Sequence, residues 1–218
     1  MGILGGTFDP VHTAHVALAR TAADQLGLDQ VVWIPAGNPP HRAAPRAAPD
    51  HRLAMTRLAI ADEPRFVLDA SEANSTAASY TVHTLERLRS IHGDRQPLVL
   101  LMGADALRGL ASWHRWRDLL SLAHIGVATR PGFPLDDLPL PVAELFAASH
   151  TPCEACHPAN VDFSLAAGTI VPFALSAGTV SATEVRTLMA QGAPRTAFDG
   201  LLPPAVLDYI LSHSLYSA

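Results

Sequence analysis

The stretch of this chain richest in chemistry is Gly5-Gly6-Thr7-Phe8-Asp9-Pro10-Val11-His12-Thr13-Ala14-His15. Gly5 and Gly6 can adopt positive φ and let a phosphate approach the backbone. Asp9-Pro10 sets a turn. A helix that starts just beyond the turn aims its free amides and positive dipole end at the same place. His12 and His15, three residues apart, share one side of that helix start. The combination suits a polyphosphate. The plain alternative is a tight loop with two exposed histidines, and it leaves the joint occurrence of the glycines, the Asp-Pro and the paired imidazoles without a reason. All fifteen Lys+Arg residues are arginine. A Walker-type loop, a pyridoxal Schiff base and a lysine nucleophile are therefore excluded, because each needs an ammonium on a flexible stem.

Further candidates lie along the chain. Ser181 followed by Glu184 is a capping-box pattern that starts a helix. The amides of that helix, with Ser181, Thr183 and Arg186, can hold a second set of phosphate oxygens; the alternative is a capped helix with a surface arginine. Asp105, just after Gly103, is either a ligand contact or a helix cap. Trp113, set among Ser112, His114 and Arg115, offers a ring face for stacking or simply packs. Asn38, His41 and Arg42 share a loop stiffened by a Pro-Pro pair, from which His and Arg can reach a phosphate or remain solvated. Arg130, at the end of a predicted strand, is a surface charge or a nucleotide contact. Cys153, Cys156 and His157 fit a haem-attachment spacing, and His150 extends them to a zinc-like set. Two reduced thiols in a loop are the expectation there. No Ser or Cys stands in a nucleophile elbow, so no covalent intermediate is indicated.

The elements that must position these groups alternate. Strands are predicted at residues 2–4, 31–35, 66–68, 98–102, 125–129 and 169–173. Helices are predicted at 15–26, 50–62, 80–91, 142–148, 182–191 and 204–213. Strands separated by helical segments of this length mean an α/β fold: a doubly wound parallel sheet with helices on both faces and a small helical C-terminal part. Ligands of such sheets bind beyond the carboxyl ends of the strands. No repeat or flexible linker appears, so residues 1–218 are expected to form one domain, mainly helical from about residue 180.

Composition fits a globular chain of 218 residues, 49% hydrophobic and 16% charged. A net charge of -5 argues against nucleic-acid or anionic-membrane partners. The uncharged stretch 163–183 contains Gly168, Pro172 and Gly178 and reads as a strand and loop rather than a span. The start lacks a basic segment followed by an apolar run, so no secretory signal is expected and a soluble, cytoplasmic protein is.

The segment 5–15 resembles the opening G-G-x-F-D-P-x-H-x-G-H of the nucleotidyltransferase superfamily and, within it, of the bacterial nicotinate mononucleotide adenylyltransferases, with Ala14 at the glycine. The likeness continues through IPAGNPPHR (34–42), SYTVHTL (79–85), MGADAL (102–107), SWHRW (112–116), TRPGF (129–133), VSATEVR (180–186) and LLPPAVLDYI (201–210). It implies a Rossmann-like fold and transfer of AMP from ATP to nicotinate mononucleotide, giving nicotinate adenine dinucleotide and pyrophosphate in NAD biosynthesis. It implies His12 and His15 as catalytic residues. It also implies ATP contacts at Gly5, Gly6, Thr7, Phe8, Gly103, Asp105, Arg130, Ser181, Thr183 and Arg186. The acceptor would meet Asn38, His41, Arg42, Thr81, Trp113 and His114, with Trp113 on the pyridine ring. Mg²⁺ arrives with ATP, and no metal-ligating residue is implied. The alternatives are a related transferase using nicotinamide mononucleotide or another phosphate, and a non-catalytic nucleotide- or metal-binding module. A homo-oligomer stays open.

Overall fold

A computed structural model describes residues 1–40, 44–129, 135, 137–150, 163–176 and 180–217. His41, Arg42, Arg130, Cys153, Cys156 and His157 lie outside the described residues.

The strands are β1 (Gly2–Gly6), β2 (Val31–Pro35), β3 (Phe66–Leu68), β4 (Val99–Gly103), β5 (His124–Thr129) and β6 (Ile170–Ala174). The helices are α1 (Thr13–Gln25), α2 (Pro49–Ile60), α3 (Thr81–His92), α4 (Ala104–Arg108), α5 (Leu119–Leu122), α6 (Leu140–Ser149), α7 (Ala182–Ala190) and α8 (Pro204–Ser212). The strands form one six-stranded sheet in the order β3-β2-β1-β4-β5-β6. Its β1·β4, β4·β5 and β5·β6 ladders are parallel. This is the order of a doubly wound α/β sheet, and it reverses between β1 and β4.

Local chemistry explains the elements. In β2 and β4 the apolar runs Val31–Ile34 and Val99–Met102 are buried throughout, as strands covered on both faces require. Gly27, at φ +60°, takes the left-handed conformation that ends an Ala-rich helix without a Cβ penalty. Pro49 opens α2, where its missing N–H would be unsatisfied anyway. Ser181 Oγ accepts from Glu184 N–H at 3.1 Å and caps α7, as the spacing predicts.

Most boundaries fall within two residues of the sequence reading. The largest differences, two residues, are the extra length of β1, an earlier start of α1 and α6 and an earlier end of α2, and the short helices α4 and α5 are left out of the sequence reading. Helices of four or five residues have too few turns to carry a readable periodicity.

The packing divides into two units, with β1, α1 and β2 each contributing residues to both. The first contains residues 1–4, 18–32 and 79–176. Its core joins Ile3, Leu98, Leu101, Ile125, Val127 and Phe173, all buried. Arg89 lies within it, nearly enclosed, and donates to the carbonyls of Leu122, Gln96, Gly93 and Ala166. The second contains residues 5–17, 33–78 and 177–218. Its core joins Phe8, Val11, Trp33, Met55, Val185, Phe198 and Ile210, with α2 packed on α8.

Candidate functional site

Every described residue of the two phosphate motifs belongs to the second unit. The loop leaving β1 is tightly held. Gly6 accepts from Ala36 N–H at 2.9 Å. Phe8 is buried at left-handed φ of +48°. A Cβ on Gly6 would meet the Phe8 ring at 2.7 Å, whereas one on Gly5 would meet nothing within 4 Å. Gly6 is thus a packing requirement, and Gly5 keeps its surroundings open.

Asp9 is a hub. Its Oδ2 accepts from Arg46 N–H at 2.8 Å, and its Oδ1 accepts from Ala47 N–H at 3.0 Å and Tyr216 O–H at 2.8 Å. The sequence reading gives Asp9 only a turn-forming role. Beside it, Arg52 is fully buried and donates to the carbonyls of Thr7 (2.8 Å), Ala36, Gly37 (3.1 Å) and Ala47 (3.2 Å). Burial lowers the Arg52 pKa, and the nearby Asp9 charge opposes that shift. No sequence signal marks an arginine as buried, so this group escapes a reading by pattern.

The histidines stand as the spacing predicts. Their rings stack with centroids 3.7 Å apart, and Phe8 meets the His15 ring edge-on at 5.1 Å. His15 Nδ1 accepts from His12 N–H at 3.2 Å. The neutral His15 ring therefore carries its proton on Nε2, which makes that nitrogen a donor. Thr13 fixes the start of α1: its N–H donates to Leu201 O at 3.0 Å, and its hydroxyl donates to Gly200 O at 2.7 Å.

The second motif arrives from α7. Arg186 Nη1 donates to Asp9 O at 2.7 Å, and its Nη2 donates to Thr183 Oγ1 at 3.0 Å. Two motifs more than 170 residues apart in sequence are thereby joined. Asn38 forms a parallel bridge to Ala78. Gly37 precedes it because a Cβ there would run into the Glu72 carbonyl oxygen.

The acceptor-side candidates Thr81, Trp113 and His114 belong to the first unit. Thr81 opens α3. The Tyr80, His83 and His114 rings form a cluster, with centroids 4.5 Å apart for Tyr80–His114 and 5.5 Å for Tyr80–His83. Trp113, partly exposed, ends a short 3₁₀ turn (Leu110–Ser112). Arg115, at φ +49°, holds the next turn by pairing with Glu86 at 2.8 Å and Asp118 at 2.7 Å. Those hydrogen bonds raise its pKa. Tyr80, His83 and Arg115 are given no site role by the sequence reading, although Tyr80 and His83 sit inside the SYTVHTL string and Arg115 inside SWHRW. Asp105 does not cap α4. Gly103 is the cap residue, and the Asp105 side chain, 87% exposed, pairs with Arg108 at 3.6 Å. Gly103 has open space where a Cβ would stand.

Of the cysteine-region set only His150 is described. Its Nδ1 lies 3.1 Å from Phe146 O, and its ring stacks on Phe146. Among the described residues no group of three or more His, Cys, Asp or Glu could hold a metal ion. No helix among them is long and apolar enough to cross a membrane.

A model of the cytidylyltransferase-like family matches residues 3–188. With the doubly wound sheet and the paired-histidine loop, this makes the chain a nucleotidyltransferase of that family. A Dechloromonas aromatica protein named "Probable nicotinate-nucleotide adenylyltransferase" is 50% identical over 216 residues, covering 99% of this chain and 97% of that one. One of the same name from Laribacter hongkongensis is 45% identical over 218 residues, covering 99% and 94%. The chain belongs to the nicotinate-nucleotide adenylyltransferase family. In structure it resembles the Plasmodium falciparum nicotinic acid mononucleotide adenylyltransferase complexed with NaAD, at TM-score 0.71 and 15% identity, covering 99% of this chain and 96% of that one. At that identity the likeness carries the fold alone.

Proposed function

We propose that the protein transfers AMP from ATP to nicotinate mononucleotide, releasing pyrophosphate and forming nicotinate adenine dinucleotide for NAD biosynthesis. The observation that carries the chemistry is the Arg186–Asp9 hydrogen bond of 2.7 Å. It brings a guanidinium and a capped helix start to the loop that holds two stacked imidazoles. Such a cluster of N–H donors is built for phosphate oxygens.

The acceptor's phosphate oxygen attacks the α-phosphorus in line. The P–O bond to the β-phosphate breaks, and the electron pair leaves with pyrophosphate. A phosphate nucleophile is already ionised at neutral pH, so no general base is required. Catalysis rests on positioning and on charge neutralisation. His15 Nε2–H and His12 donate to the transferring and leaving phosphates. The amides around Gly5, Gly6, Thr7 and Phe8, and Ser181, Thr183 and Arg186, hold the remaining oxygens. Mg²⁺ enters as part of Mg-ATP and supplies charge neutralisation. The nearby Asp9 carboxylate already accepts three hydrogen bonds and is committed to the loop rather than to an ion. Gly103, Asp105 and Arg130 serve the adenosine side. Thr81, Trp113 and His114 receive the nicotinate ring and carboxylate, and Asn38, His41 and Arg42 its phosphate. Residues 1–218 act as one domain, free in the cytoplasm.

The test is pyrophosphate release from Mg-ATP with nicotinate mononucleotide, with its amide, or with no acceptor. Strong preference for the acid is the expected result. Release with the amide alone overturns the acceptor-pocket assignment and keeps the transferase. Silence with every acceptor, in folded protein, overturns both.

A further inference from the structure

The segment 214–216 is held in an unfavourable backbone. Beyond α8, Leu215 N–H donates to Ile210 O at 3.0 Å, and Ser214 and Tyr216 adopt left-handed φ values of +50° and +64°. Side chains bearing a Cβ stay in that region only where their surroundings hold them. The result is that Tyr216 is only 8% exposed and its hydroxyl donates to Asp9 Oδ1 at 2.8 Å.

On the other side of that bond, Phe8 is also left-handed. Two of the non-glycine residues with positive φ are therefore linked through Asp9. The Asp9 side chain receives two amides, both from residues 46–47, and its carbonyl receives Arg186. Those two donors, one on each carboxylate oxygen, tie the side chain to a single segment. A third donor from a separate element fixes its orientation, and with it the backbone that leads from Phe8 to His12.

We propose that Tyr216 is a positioning residue for phosphate transfer: by way of Asp9 it sets the loop that carries His12 and His15. The proposal rests on the nucleotidyl-transfer reading of that loop. Its logic is that hydrogen-bond donors aimed at a transferring phosphate lose their effect when displaced by a fraction of an ångström.

Tyr216→Phe keeps the buried ring and removes the hydroxyl. In the folded protein, well below its melting temperature, kcat for pyrophosphate release should fall about tenfold while KM for Mg-ATP changes less than about threefold. A hydroxyl that serves stability alone would lower the melting temperature and leave kcat of the folded protein unchanged, and that result overturns the proposal. The pair is checked in an Asp9→Ala background, where Tyr216→Phe should cost less than about twofold. A full tenfold loss there shows that Tyr216 acts elsewhere and also overturns it.

A readout independent of turnover separates this proposal from the reaction itself. In the acceptor-free protein, Tyr216→Phe should shift the imidazole NMR resonances of His12 and His15. Unchanged resonances overturn the brace even if wild-type protein is active. Shifted resonances support it even if wild-type protein releases no pyrophosphate, in which case the transferase reading alone falls.

Discussion

At the scale of single residues, the site depends on which atom of each ring or carboxylate is already occupied. His15 Nδ1 accepts from the His12 amide, which places the proton of the neutral ring on Nε2, the nitrogen proposed to donate toward phosphate. His15→Ala is therefore expected to lower kcat for pyrophosphate release by about 10²–10³, the usual effect of deleting one donor to developing charge. Steady-state kinetics with Mg-ATP and nicotinate mononucleotide would check it, and near wild-type turnover would remove His15 from the mechanism. Arg52 makes a contrasting case, because its buried guanidinium is engaged by backbone carbonyls. Arg52→Met strands the acceptors at Thr7, Ala36, Gly37 and Ala47 and should destabilise the fold by about 3 kcal/mol. For a chain of this size that is a melting-point drop of about 6–12 °C. The histidines were legible from their types and spacing, whereas the Arg52 node was not, since its partners are backbone atoms that any sequence possesses.

At the scale of elements, α7 carries structure and part of the proposed phosphate site. Ser181 caps it, and Arg186, on its second turn, reaches Asp9. Ser181→Ala should remove about 1 kcal/mol of stability through the lost cap. Thermal melting would show a drop of about 2–4 °C, and an unchanged melting point would mean that the cap is not formed in solution. The S-x-x-E spacing made this helix start readable in advance. The loop after β2 is different. Gly37→Ala should destabilise the IPAGNPPHR loop, because the added Cβ meets the Glu72 carbonyl. A loss of more than about 1 kcal/mol in denaturant unfolding is expected. From the sequence, Gly37 is only a loop glycine, since the residue it would strike lies 35 positions away.

At the scale of the whole molecule, the Tyr216–Asp9 bond gives stability a pH signature. Burial, then the hydrogen bond to Asp9, raises the Tyr216 pKa above its ordinary value of 10.0. A group whose pKa is raised by folding contributes stability that is fully present below the unfolded pKa and lost as pH rises above it. The wild-type melting temperature should therefore fall more steeply above pH 10 than that of Tyr216→Phe, while below that pH the wild type is the more stable. Parallel melting curves for the two proteins between about pH 8 and 11 would decide it, and parallel declines would mean that the phenol is not held as described.

The sequence by itself determined the α/β class, the order and near-exact bounds of the main elements, and the residues that could serve phosphate chemistry. It could do so because strand and helix periods, caps and turn residues act over a few positions. Tertiary structure decided what holds those residues in place. It joined Arg186 to Asp9, put Tyr216 on the Asp9 carboxylate, and buried Arg52 among four carbonyls. These bonds link segments between 5 and 207 positions apart. Most of them use backbone oxygens or ordinary polar atoms, so no local pattern of residue types can announce them before the chain has closed around them.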